Sequence, residues 1–236
     1  MEKKNRFAIL ARPLLAAVIG GALAAGAAAQ SPPGARPAPI VIGFVGGALK
    51  HDDRRRSEVV LAERLHRDFP AATVRVFENR KRKEAHALIL SELANGGSRP
   101  RIVLYGHSWG GSEAVALARQ LASEGIPVLL TVQVDSVQKL GENDASIPPN
   151  VQEALNFYQT GGLLHGRRRI VAEDAGHTTI LGNIRMRYRR RPAGCAGYPW
   201  YETTFARTHS EIECDPAVWN RIEDLIRGKL QAGEPQ

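Results

Sequence analysis

From Ile40 onward the apolar positions keep two rhythms in turn. Short apolar runs at Ile40–Val45, Thr73–Phe77, Arg101–Tyr105 and Pro127–Val134 read as strands. The last is apolar almost throughout, as a parallel strand covered on both faces must be. Between them the spacing becomes helical: Leu61, Leu65 and Phe69, then Ala85, Leu88, Ile89 and Leu93, then Ala114, Leu117, Ala118 and Leu121. Asp53 is placed to cap the first of these helices. Pro148-Pro149-Asn150 predicts a helix running to about Tyr158, and Arg169–Ala172 a fifth strand. Thr178–Leu181 is an apolar stretch open to a strand reading. Asp215 followed by Pro216 is an N-cap and first-turn pair, opening a last helix with Val218, Ile222, Leu225 and Ile226 inward. Alternation of this kind predicts an α/β fold, a mostly parallel sheet with helices on both faces.

The beginning of the chain breaks this pattern. Lys3, Lys4, Arg6 and Arg12 form a positive front, an apolar stretch runs from Leu14 to Ala25, and Ala27-Ala28-Ala29 offers a small-residue cleavage site. Residues 1–29 are therefore read as a signal peptide, and the mature protein as secreted or periplasmic. The apolar run is too short and too rich in Ala and Gly for a membrane anchor, which needs ~20 apolar residues. Residues 30–37 form a proline-rich leader, 38–231 one domain, and 232–236 a loose tail.

Charge then becomes a local matter. The formal charge is +8. Residues 167–191 hold eight Arg against Glu173 and Asp174, so the basic character is concentrated there. The patch suits peripheral contact with an anionic cell envelope. With no recognised nucleic-acid motif, nucleic acid is not expected as a partner. Two cysteines, Cys195 and Cys214, cannot supply a zinc-finger or iron–sulfur ligand set, and in an exported chain they are expected to pair. His51-Asp52-Asp53 has metal-ligand residue types, but helix capping accounts for it more simply. No metal or other cofactor is expected.

The sharpest motif follows the third strand. Gly106-His107-Ser108-Trp109-Gly110 fits G-x-S-x-G between an apolar strand and an amphipathic helix. A serine there takes a strained turn, and its hydroxyl is presented at the carboxyl edge of the sheet. The following helix aims its N-terminus at a developing oxyanion, with the Trp109 N–H as one donor. His107 is read as a packing residue.

The GHSWGG elbow, with GFVGGALKHDD at the end of the first strand, resembles the small serine hydrolases of the α/β-hydrolase superfamily, esterase- or lipase-like. The likeness in element order covers nearly the whole mature chain. It implies a second oxyanion donor from the Gly46-Gly47-Ala48 loop, and a triad in the chain order Ser, acid, His. Two departures stand out. Only two strands precede the nucleophile strand, so the usual opening antiparallel strands are missing, and there is no long helical lid insertion.

For the base, His209 sits just before the last helix, where the superfamily commonly places it. His177 is the runner-up, and His165, beside Arg167, is read as a surface residue. For the acid, Asp135 ends the strand after the nucleophile strand and is preferred to Asp174, which occupies the more usual superfamily position. The reading is thus an exported serine esterase acting on a small-molecule or lipid ester through Ser108, His209 and Asp135. The alternative is a catalytically inactive hydrolase-fold protein bound to the anionic envelope through its arginines. Residues 182–208 show neither period and hold Tyr188, Tyr198, Trp200, Tyr201 and Phe205, a segment able to cap the acyl pocket.

Overall fold

The computed structural model describes residues 38–96, 101–188 and 195–232. The expected signal peptide, the expected leader and all of the expected tail beyond residue 232 lie outside the described residues. Six strands form one all-parallel sheet: β1 (Ile40–Val45), β2 (Thr73–Glu78), β3 (Ile102–His107), β4 (Val128–Val134), β6 (Val151–Tyr158) and β8 (Thr179–Arg185), in the order β2-β1-β3-β4-β6-β8. Two very short strands, β5 (Ser146–Ile147) and β7 (Val171–Ala172), pair apart from it.

Helices cover both faces because β1 and β3 are apolar on both. Ile40, Ile42 and Phe44 pack with Ala85 and Ile89 of α2 (Arg82–Gly96), and with Ala114, Leu117 and Leu121 of α3 (Trp109–Ser123). Val41, Val103 and Tyr105 face the other way, onto Leu61 and Leu65 of α1 (Ser57–Asp68) and Trp219, Ile222 and Ile226 of α6 (Pro216–Gln231). The architecture is α/β, with a mostly parallel sheet between two helical layers. Among the described residues two strands precede the nucleophile strand, and no helix is long and apolar enough to cross a membrane.

Several local expectations are corrected. Residues 151–158 form strand β6, the fifth position of the main sheet, and not a helix. Asn150 donates to the carbonyls of Ala118 and Ile126, which anchors the chain at the end of α3 and sends it on beside β4. The sheet then offers two-sided burial to Ala154, Leu155 and Phe157, and that outweighs helical propensity. The fifth strand expected at Arg169–Ala172 shrinks to β7, while Thr179–Arg185 takes the sheet edge. Asp53 does not cap α1. The N-cap is Arg56, and the Asp53 carboxylate instead accepts from the guanidinium groups of Arg55 and Arg56. Asp215 does cap α6, accepting from the Ala217 N–H at 2.9 Å, with Pro216 in the first turn.

The segment before the last helix is more ordered than its lack of period suggests. It contains α4 (Trp200–Phe205) and α5 (Arg207–Glu213), so His209 stands on a short helix and not on a loop. Cys195 and Cys214 are disulfide-bonded, with their Cα atoms 5.4 Å apart.

Candidate active site

Register brings the chemistry to one edge. In the β3–β4 pair His107 lies opposite Val134, so Ser108 and Asp135 leave adjacent strands at the same level. The β1–β3 pair places Phe44 opposite Gly106, and the Gly46-Gly47-Ala48 loop therefore emerges beside Ser108. After β1 the chain turns outward to β2 and then returns to β3 on the other side. The two loops thus flank the point where strand order reverses, which is where open α/β sheets bind ligands.

Ser108 has φ 56° and ψ −126°, a left-handed backbone that only a tightly held serine keeps. Its N–H donates to the Val134 carbonyl at 3.0 Å, and its own carbonyl accepts from Gly111 and Val137. The glycines of the motif are there for close approach. A Cβ on Gly106 would lie 2.4 Å from the Gly110 carbonyl, and one on Gly110 would lie 2.1 Å from the Phe44 oxygen. Gly46 is equally confined, since a Cβ there would come within 2.9 Å of the Ser108 Cβ. Trp109 begins α3 directly beyond the serine.

Asp135 is fully buried and also has positive φ, at 43°. Its Oδ1 accepts from the backbone N–H of Gly166 at 2.8 Å and of Gln159 at 3.3 Å. Its Oδ2 accepts from Gln159 Nε2 at 2.8 Å and pairs with His209 Nδ1 at 2.7 Å. Four donors thus hold one carboxylate, and among the described residues no Lys or Arg pairs with it. His209 is 6% exposed. With Nδ1 committed to Asp135, its Nε2 is the nitrogen left for proton transfer.

The runner-up residues come together elsewhere. His177 Nδ1 pairs with Asp174 Oδ2 at 2.8 Å, and both side chains are largely exposed. The Gly176 N–H and then His177 hold the Asp174 carboxyl below its usual range. They precede β8 in a parallel sheet, which puts them at the amino edge, the opposite edge from Ser108. His165 is exposed. His51 pairs with Glu78 Oε1 at 2.8 Å and not with Asp52 or Asp53.

Sequence reading missed three supporting groups. Gln159 steers the Asp135 carboxylate, and its signal was hidden by the helix expected over 150–158. Asn79 donates to the carbonyls of Val45 and Gly47 and so holds the double-glycine loop. His107 is more than packing. Its Nε2–H donates to the His209 carbonyl at 3.1 Å, and the two rings lie 4.5 Å apart. Burial first, then the neighbouring His209 ring and the Arg56 guanidinium, hold the His107 imidazole well below its ordinary pKa. Behind it lie Glu58 and Glu213, both nearly inaccessible to solvent. Burial raises both carboxyls, Glu213 to about 7.

A cavity of about 490 Å³ opens where the proposed oxyanion elements meet, lined by Gly47, Ala48, Asn79, Arg80, Trp109 and Leu140. A second, of about 360 Å³, lies on the Gln159 and Thr208 side with Arg185 and Arg187. The first touches Trp109 and the glycine loop and is the better seat for a reacting carbonyl. Trp200 is in ring contact with Tyr201 and Phe205, and these three form an exposed cluster, while Tyr198 is buried over Arg56 and Tyr188 packs against the core.

No protein-family model and no curated protein matches the chain. A solved structure from Agrobacterium vitis S4, named as a candidate hydrolase, superposes with a TM-score of 0.51 at 10% identity, covering 83% of this chain and 90% of its own. A candidate YdeN-like hydrolase from Pectobacterium atrosepticum gives 0.36 at 19% identity, over 74% of this chain and 90% of its own. A cutinase-like protein from Cryptococcus sp. gives 0.41 at 12%, over 84% and 97%. The first of these, with the strand order and the elbow, identifies the architecture: this chain has an α/β-hydrolase fold. At such identities the likeness is one of fold.

Proposed function

We propose that this protein is a serine hydrolase that cleaves carboxylic esters through Ser108, His209 and Asp135. The observation that carries the reading is the buried 2.7 Å bond between His209 and Asp135, at the same sheet edge as a serine held at positive φ. His209 Nε2 takes the Ser108 proton as Oγ attacks the carbonyl. The backbone N–H groups of Trp109 and the Gly46–Ala48 loop hold the oxyanion. Collapse expels the alcohol, which leaves with the proton from His209. Water then gives a proton to His209 as its oxygen attacks the acyl carbon, and collapse breaks the bond to Ser108 Oγ, which takes that proton back as the acid leaves. Asp135, held by Gly166 and Gln159, fixes the imidazole tautomer and offsets its transient charge.

The decisive experiment is labelling of the purified protein with a fluorophosphonate, beside hydrolysis of short and long p-nitrophenyl esters. The expected result is one labelled serine and measurable turnover, both lost in Ser108→Ala. Absence of labelling and of hydrolysis overturns the reading and leaves the envelope-binding alternative. We further propose export, with cleavage near Ala29–Gln30. The Cys195–Cys214 bond is in keeping with an oxidising compartment. Mass spectrometry of the native protein should find a chain beginning near residue 30, and intact Met1 recovered from the cytosol overturns it.

A further inference from the structure

We propose that Glu58, His107 and Glu213 form a buried site for one divalent transition-metal ion, zinc by its donor set, directly behind the nucleophile turn. Their donor atoms lie within 4.8 Å of one another, on α1, the last residue of β3 and the last residue of α5. All three side chains are at least nine-tenths buried. Among the described residues no N–H donor reaches either Glu58 carboxylate oxygen or His107 Nδ1, and Glu58 faces Glu213 carboxyl to carboxyl. Buried polar atoms left unmatched cost on the order of 1–3 kcal/mol each, more when charged, so this cluster calls for a binder.

Three features favour a metal ion over another occupant. First, the surroundings are those of a metal site. A ligating imidazole commonly donates its other N–H to a backbone carbonyl, and His107 Nε2–H donates to that of His209. Ligating carboxylates are hydrogen-bonded in turn, and Arg56 Nη1 reaches Glu213 Oε2 at 3.3 Å. Second, the charges balance. The shortest bonds of Arg56, at 2.7 and 2.9 Å, go to Glu202, which leaves two carboxylates beside a neutral imidazole. A dication offsets them. Third, the spacing fits. His107 Nδ1 and Glu213 Oε2 are 3.6 Å apart, close to the ~3.4 Å edge of a zinc tetrahedron with bonds of ~2.1 Å. Glu58 offers the third donor, within 4.8 Å of the other two. One nitrogen and two carboxylate oxygens suit zinc better than magnesium or calcium.

The ion binds as α5 docks, because the three side chains are almost inaccessible to solvent once α5 is in place. It is separate from the proposed ester chemistry, since no reacting atom touches it. It ties α1, β3 and α5 together and fixes His107, which adjoins Ser108 in sequence and bonds the His209 backbone. His107 is then a positioning residue.

The test uses the full chain without an affinity tag, produced in zinc-supplemented medium and analysed by inductively coupled plasma mass spectrometry. About one zinc per chain should survive dialysis against EDTA and be released on unfolding. Refolding with Zn²⁺ should give a higher Tm than refolding with EDTA. Glu58→Gln, which keeps the shape, should weaken zinc binding by more than about a hundredfold and remove the Tm difference. Wild-type protein that carries no stoichiometric zinc, with a Tm indifferent to Zn²⁺ and EDTA, overturns the site and leaves the carboxyls held by protons. Equal zinc in wild type and Glu58→Gln also overturns it, because the ion would then sit on exposed histidines such as His51 or His177. Should Glu58→Gln fail to fold, the wild-type metal content and refolding comparison still decide. The outcome is independent of whether Ser108 reacts with the fluorophosphonate.

Discussion

At the scale of single residues, the site is held by backbone that tolerates almost no added atoms. Gly46 touches the Ser108 side chain so closely that a methyl group must displace it. Gly46→Ala is therefore expected to lower kcat/KM on a p-nitrophenyl ester by at least about a hundredfold, because the oxyanion loop and nucleophile move apart. The protein should remain folded by circular dichroism, since Gly46 lies at the edge of the core. Asp53 shows a different dependence. Its bond to Arg55, with Arg56 nearby, lowers its carboxyl from 3.8 to about 2. A lowered folded-state value means the stabilisation is present above the unfolded value and is lost as pH falls from about 4 towards 2. Because the pair is partly exposed, solvent screening reduces it to about 1 kcal/mol. In urea unfolding, Asp53→Asn should lose that amount at pH 7, and the difference should vanish near pH 2.

At the scale of elements, two contacts carry the site. Helix α3 reaches β1 so closely that Gly110 abuts the Phe44 carbonyl, and Gly110→Ala is expected to destabilise the protein by about 3 kcal/mol or prevent folding. Urea unfolding, or loss of soluble protein, checks it. Helix α5 brings His209 to Asp135 and is tethered at its end by the Cys195–Cys214 bond. A loop of 19 residues closed by a disulfide contributes about 3 kcal/mol through the unfolded state. Reduction should lower the unfolding free energy by that much and, on the proposed function, slow p-nitrophenyl ester hydrolysis in parallel. A stability unchanged by dithiothreitol would count against it. The wrong element over 151–158 also belongs to this scale. VQEALNFY carries no strict period, and only pairing with β4 and β8 makes it a strand.

At the scale of the whole molecule, the parallel sheet sorts the histidines by edge. In the six-stranded sheet, the described chain leaves each strand at the Ser108 edge and enters each strand at the other. A strand of six or seven residues spans ~20 Å, so His177 stands a full sheet width from the nucleophile. His209→Ala should lower kcat by several orders of magnitude, as loss of a triad base does. His177→Ala should cost at most about tenfold. The reverse result would move the base to the amino edge and make Asp174 the acid to test. The arginines of 167–191 are in part consumed by the fold: Arg167 pairs with buried Asp144 at 2.8 Å, and Arg185 with Thr160. Fewer remain for an anionic envelope than the sequence count suggests.

Much was legible in the chain alone. Apolar runs and helical spacing determined four strands, three helices and the last helix with its Asp215 cap, because these segments carry their burial pattern locally. The elbow was legible because glycine at both flanks of a serine has a local steric meaning. The position of Asp135 at the end of a buried strand, beside the serine turn, could be read from the apolar run before it. Other features depend on partners distant in sequence, and only the tertiary structure decided them. Strand β6 exists because β4 and β8 bury it. Asp135 and His209, 74 positions apart, meet because α5 folds back over the sheet edge. Glu58, His107 and Glu213 converge from three elements whose sequences carry no common motif. Local patterning specifies which face of a segment is buried. Which polar groups meet inside depends on strand order and register, and those are properties of the assembled sheet.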